Sequence, residues 1–116
     1  MKPHTRRAIA FIASRAINDD HRSSVYDFEE GRHISFSGTV RDGRISAYDY
    51  DRSCHISGTL PNLYDYGDSH HIQLKIEGSS FKGYDYGSSQ HFSGKVNGHS
   101  ISLYDYGTSS YYNYSS

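Results

Sequence analysis

Tryptophan is absent from this 116-residue chain, cysteine and methionine occur once each, and proline occurs twice. A lone Cys54 excludes an internal disulfide framework. Leu, Ile, Val and Phe are scarce. Hydrophobic residues make up 34% and Tyr supplies much of that share, so a thin folded sheet is expected rather than a deep core. Disorder normally brings few aromatics and a large net charge. Here aromatics reach 15% and the net charge is −1, which argues for a folded chain. The balanced charge also leaves no electrostatic footprint for nucleic acid. No apolar run approaches the roughly 20 residues of a membrane span. Lys2, Arg6 and Arg7 ahead of Ala8-Ile9-Ala10-Phe11-Ile12-Ala13 have the outline of a secretory signal. That run is too short for such a signal and Arg15 interrupts it, so a cytoplasmic protein is expected.

Against these absences stands one recurring stretch, Tyr-Asp-Tyr-Gly. It occurs at residues 64–67, 84–87 and 104–107, with looser copies at Tyr48-Asp49-Tyr50 and Tyr26-Asp27-Phe28. A spacing of about 20 residues marks a repeated supersecondary unit. The chain reads as one domain, residues 1–116, with an N-terminal helical segment (1–22) and β-hairpin repeats (23–116). Thr5 to Asn18 predicts a helix, with Thr5 as N-cap. Ala8, Ile9, Ile12, Ala13, Ala16 and Ile17 give it one apolar stripe, and Asp19, Asp20, His21 and Arg22 end it.

The remainder alternates in the strand period. Asn97-Gly98 signals a type I′ hairpin, which would pair Phe92 with Leu103, Gly94 with Ile101 and His91 with Tyr104. Gly67-Asp68, Gly87-Ser88 and Gly107-Thr108 suit type II′ turns, pairing Tyr64 with His71, Tyr84 with His91 and Tyr104 with Tyr111. Further turns are expected at Glu30-Gly31, Asp51-Arg52, Thr59-Leu60 and Glu77-Gly78, and around Arg41-Asp42-Gly43. They pair Tyr26 with Ser35, Tyr48 with His55, His55 with Tyr64, and His71 with Tyr84.

The predicted architecture is mainly β: an N-terminal helix packed on a ten-strand antiparallel meander. Side-chain rows run straight across it. One face is apolar, with glycines such as Gly83 and Gly94 giving room for the helix. Because so level a register accumulates little stagger, an open twisted sheet is expected rather than a closed barrel. Ten strands span roughly 45 Å, more than one helix can cover, so a homodimer is expected to bury the rest.

The opposite face carries Tyr48, His55, Tyr64, His71, Tyr84, His91 and Tyr104, the candidate ligand-binding residues. Tyr and Ser make adaptable contact surfaces, whereas a purely structural ladder of cross-strand aromatic pairs is the plainer alternative. On that face His55, His71 and His91 lie too far apart to share a metal ion, and no metal or cofactor is assigned. Together they could sense pH. Asp49, Asp65, Asp85 and Asp105 either accept N–H bonds from their own turns or form cation or sugar-hydroxyl sites. Asp65, His70 and Asp85 bring acid–base residue types side by side. Cys54 lacks a base, since His55 points to the other face. His4 and His21 receive no role.

In outline alone the chain resembles cell-wall-binding repeats, which use aromatic hairpins of about this period. Their tryptophans are absent here, and no ligand is carried over. The functional expectation is a non-enzymatic, self-associating β-repeat module that binds a ligand or protein through its Tyr/His/Ser face. A carbohydrate-binding protein using the Tyr rows is the alternative, and a small hydrolase or metal-dependent enzyme around Asp65, His70 and Asp85 is the second.

Overall fold

The computed structural model describes residues 1–19 and 21–116; the helix-ending role assigned to Asp20 lies outside the described residues. Helix α1 (Pro3–Asn18) is followed by β1 (Ser24–Asp27), β2 (Arg32–Arg41), β3 (Arg44–Asp49), β4 (Cys54–Thr59) and β5 (Asn62–Asp65). Then come β6 (His70–Glu77), β7 (Ser80–Asp85), β8 (Gln90–Asn97), β9 (Ser100–Asp105) and β10 (Ser110–Ser115). Every strand pairs antiparallel with its sequence neighbours, as the alternating pattern requires. The sheet is nevertheless closed: β1 also pairs with β10, Tyr26 opposite Ser115 and Asp27 opposite Tyr114. The expected open sheet is therefore corrected to a ten-strand barrel.

The register explains the difference. Pairings across the Tyr-Asp-Tyr turns stand as expected: Tyr48 with His55, Tyr64 with His71, Tyr84 with His91 and Tyr104 with Tyr111. At the opposite end each hairpin is offset by two residues. Tyr84 faces Gln73 rather than His71, Tyr104 faces Ser93 rather than His91, and Tyr64 faces Ser57 rather than His55. A two-residue slip keeps every side chain on its own face, so the face pattern could not reveal it. The slips run in one direction and add up to the net stagger that closure needs. Their source is the turn. Gly98-His99, not Asn97-Gly98, forms the loop, and Gly98 takes the positive φ of +61° at its first position. In the first hairpin Tyr26 likewise faces His33, not Ser35.

The strand glycines have a different reason from the one expected. A Cβ on Gly83 would stand 1.8 Å from the Gln73 carbonyl oxygen, and one on Gly94 would stand 2.3 Å from that of Ser102. Gly38 and Gly58 meet Ser46 and Asn62 carbonyls in the same way. Each of these four hairpins thus carries one glycine where adjacent backbones press together, a device that lets a sheet curl. The crowding comes from the neighbouring strand and not from the helix.

The helix fills the barrel. Residues Thr5 through Arg15 are all buried, and α1 meets β1, β2, β3, β6, β8 and β9, strands from all sides. At ~1.5 Å per residue its 16 residues span about 24 Å, close to the 28–31 Å extents of the molecule. A helix buried on every face needs apolar residues all round, which Ala8–Ala13 supply, and the single-stripe reading is corrected accordingly. Phe11 stacks on Phe36 at 4.5 Å, and the core takes in Ile34, Ile56, Leu63, Leu74, Phe92 and Leu103. The core is thus deeper than 34% hydrophobic residues suggested, because one helix and one face of each strand are enough to build it. The helix begins at Pro3 with Lys2 as N-cap, so Thr5 lies inside its first turn. Among the described residues no helix is long and apolar enough to cross a membrane.

Candidate functional site

Five turns gather at the barrel end where α1 begins, those leaving β1, β3, β5, β7 and β9. Each strand there ends in an inward aspartate: Asp27, Asp49, Asp65, Asp85 or Asp105, all buried. In every case Oδ1 accepts the backbone N–H two residues on, from Glu29, Asp51, Gly67, Gly87 and Gly107, at 2.8–3.0 Å. The carboxylates therefore brace their own turns. Positive φ falls on Ser53, Ser69, Ser89 and Ser109, at the last loop position, and not on the Tyr-Asp-Tyr glycines. These are four-residue loops, which corrects the type II′ assignment. Gly67, Gly87 and Gly107 serve another purpose. A Cβ there would strike Arg52 and Cys54, His70, or Gln90. Each glycine lets a side chain from another turn or strand lie against its backbone.

Cations answer the buried carboxylates. Arg52 donates through Nη1 and Nη2 to both oxygens of Asp65 at 3.1 Å. Arg7, itself buried, instead pairs with two exposed carboxylates, Asp51 at 2.6 Å and Glu30 at 3.2 Å. Arg6 reaches Asp105 at 3.2 Å and lies 3.7 Å from the centre of the Tyr112 ring. Burial works against the ionised form of Asp105, but the Met1 amine, the Gly107 N–H and Arg6 together hold its carboxyl below the usual range. Burial pushes Asp49 the other way, above that range, and its Oδ2 has no hydrogen-bond partner.

The outer wall carries five aromatic triads. Tyr26, Tyr48, Tyr64, Tyr84 and Tyr104 each sit edge-on between two rings, with centroids 4.7–5.0 Å away. The ring on the turn side is Phe28, Tyr50, Tyr66, Tyr86 or Tyr106, each 55–61% exposed. The ring across the hairpin is His33, His55, His71, His91 or Tyr111. The structure thus brings Tyr48 to His55, Tyr64 to His71 and Tyr84 to His91, and sets Tyr104 beside Tyr111. It does not join them into one row, because of the two-residue offset between hairpins. Between β6 and β10 the outer wall holds two adjoining grooves of about 460 and 410 Å³ that share Lys82 and Ser93. His91 and Tyr106 line one of them, Tyr104 and Tyr111 the other.

Asp65, His70 and Asp85 do meet at the mouth of the barrel. Asp65 pairs with His70 across the hairpin, and His70 Nδ1 lies 3.2 Å from Asp85 Oδ1. His4, which the sequence reading left without a role, comes in from the helix to within 2.6 Å of Asp68. The predicted helix begins at Thr5, one residue after His4, and its place inside the barrel was not foreseen, so no sequence signal marked this residue. Cys54 points inward with its thiol pushed up by burial, while His55 is exposed on the other face, as expected. No protein-family model matches this chain, and no curated protein and no solved structure matches it either.

Proposed function

We propose that the chain is a non-enzymatic binding module, built from Tyr-Asp-Tyr hairpin repeats of about 20 residues, whose ligand lies on the outer Tyr/His/Ser wall over β6–β10. The observation that carries this reading is the set of aromatic triads. In each, the exposed ring is held edge-on by a half-buried Tyr, so it loses little conformational freedom on contact. The adjoining grooves add Lys75, Lys82 and Lys95 with Gln73, Ser93 and Ser102 as hydrogen-bonding groups. Exposed rings next to hydroxyl, amide and ammonium groups suit a carbohydrate chain, and that is the ligand class proposed.

The absence of tryptophan makes tyrosine emission a direct probe of this wall. Titration with soluble polysaccharides is expected to change it, and Tyr106→Ala or His91→Ala should weaken binding tenfold or more, as central contact residues do. A panel of neutral and acidic polysaccharides that leaves emission unchanged would remove the carbohydrate reading.

Self-association through the same wall is a second form of the proposal. The apolar sheet face that first suggested a dimer is filled by the chain's own helix. A second copy would therefore have to use the triads, and light scattering of wild type against Tyr86→Ser/Tyr106→Ser tests it.

A further inference from the structure

The repeats differ from one another at one place on the outer wall. Two residues before each of the triad tyrosines Tyr48, Tyr64, Tyr84 and Tyr104 stands an outward cross-strand pair. The pairs are Ser46 with Thr39, Asn62 with Thr59, Lys82 with Lys75 and Ser102 with Lys95. The first two are neutral. The last two hold every lysine of the chain except Lys2. Lys75 and Lys82 are directly opposite one another, an arrangement of like charges that destabilises a sheet. The fold does not require it, since neutral pairs fill the same place in the earlier hairpins.

The lysines also share a row. Lys75 faces Lys82, Lys82 faces Ser93, Ser93 faces Tyr104 and Tyr104 faces Tyr111. From β6 to β10, at ~4.8 Å per strand, this row runs roughly 19 Å along the wall. It passes through both grooves, and Lys95 lines the second from the adjoining row. All three lysines are exposed. Among the described residues of β6–β10, Asp85 and Asp105 are buried inside the barrel, which leaves Glu77 as the acid on this wall. It pairs with Lys82 at 3.2 Å, and both side chains are more than half exposed. The wall thus keeps a positive excess on a chain whose net charge is −1.

Resting on the carbohydrate reading above, we infer that the ligand is an acidic polysaccharide whose carboxylate or sulfate groups are held by Lys75, Lys82 and Lys95. A row of this length suits an extended chain and not a single sugar. Ammonium groups on flexible stems meet anions at varied spacing along such a chain. Ser93 and Ser102 offer hydroxyls to the sugar hydroxyls, and Tyr106 and Tyr111 offer exposed rings. Glu77 opposes the same anions and competes for Lys82. No arginine occurs on β6–β10, and the negative net charge disfavours a polyanion as dense as nucleic acid.

The test is calorimetric titration of the full chain with polygalacturonate (carboxylate), carrageenan (sulfate), dextran (neutral) and poly-dT (phosphate). At least one acidic polysaccharide should bind about tenfold or more tightly than dextran, and the preferred one names the anionic group. Binding should weaken as NaCl rises from about 0.1 to about 1 M, where the Debye length falls from ~10 to ~3 Å. Lys75→Gln, Lys82→Gln and Lys95→Gln should each weaken it about two- to fivefold, and the triple variant about tenfold or more. Glu77→Gln should tighten it about two- to fivefold. Arg41→Gln removes an exposed cation on β2, across the barrel, and should leave binding unchanged. All these side chains are exposed, and circular dichroism should show every variant folded. Dextran bound as tightly as the acidic chains, or acidic binding undiminished in the triple variant, overturns the anionic assignment and leaves the carbohydrate reading standing. Poly-dT bound as tightly as the acidic polysaccharides overturns it as well, by showing a surface for any polyanion. Silence with all four chains removes the carbohydrate reading and this inference with it.

Discussion

A single β-carbon decides several positions in this molecule. At Gly94 it would stand 2.3 Å from both the Ser102 carbonyl oxygen and the Phe81 ring. Gly94→Val is therefore expected to destabilise by roughly 1–3 kcal/mol or more, the range of overpacked cores, read from urea unfolding. Gly43→Ala provides the contrast: its φ is +76° but no atom lies within 4 Å, so only backbone strain of about 1 kcal/mol is expected. Ion pairs divide in the same way. The Arg52 side chain is 13% exposed and grips the fully buried Asp65, so Arg52→Met should cost about 3–5 kcal/mol by leaving a carboxylate unpaired. Arg32 and Asp51 form a bidentate pair of similar length, but their side chains are 46% and 32% exposed. Arg32→Met should cost about 0–1 kcal/mol. A urea series in which the two arginine variants lose equal stability would contradict the burial argument.

The helix is the element on which the others depend. Its apolar middle, Ala8 to Ala13, fills the barrel axis, and Arg6, Arg7 and Arg15 take charge to its ends. Arg15 donates to the Gly38 carbonyl at 3.2 Å, and Asn18 donates to that of Gly98 at 3.0 Å. Phe11→Ala should cost about 3–5 kcal/mol, since the ring is fully buried against Phe36. Removal of residues 1–22 would leave the inward faces of ten strands without a partner. The truncated chain is expected to lose its near-ultraviolet signal and to aggregate in light scattering, whereas a soluble, cooperatively folding barrel would show that the helix is dispensable.

Acid response belongs to the whole molecule, because every Tyr-Asp-Tyr turn and its relative at Asp27 buries a carboxylate. Asp51 and Asp105 have carboxyl groups held below the usual range, the first mainly by the Arg32 hydrogen bond, the second by the Met1 amine and Arg6 against the opposing effect of burial. Their folded pKa is lower than the unfolded value of about 3.9. Their contribution is thus complete above that value and is lost as pH falls through the folded pKa. Asp49 has the opposite sign: its raised carboxyl takes up a proton earlier in the folded state, so it favours folding as pH falls. Stability is expected to decline below about pH 4, and Asp105→Asn should flatten that decline. An acid limb of the same steepness in Asp105→Asn would show that the loss arises elsewhere.

Much of this molecule was set by the sequence itself. The period of two assigned each residue to its face, the Tyr-Asp-Tyr spacing located the turns, and apolar helical spacing placed α1. The pairs Tyr48–His55, Tyr64–His71 and Tyr84–His91 followed from loop length alone. Only the tertiary structure decided closure. A two-residue slip at Gly78 or Gly98 changes no face and leaves no trace in the pattern, yet its accumulation joins β1 to β10 and draws the sheet around the helix. The barrel mouth was decided by the same step. His4 and Asp68 are 64 residues apart, and they meet because closure takes the helix inside the barrel.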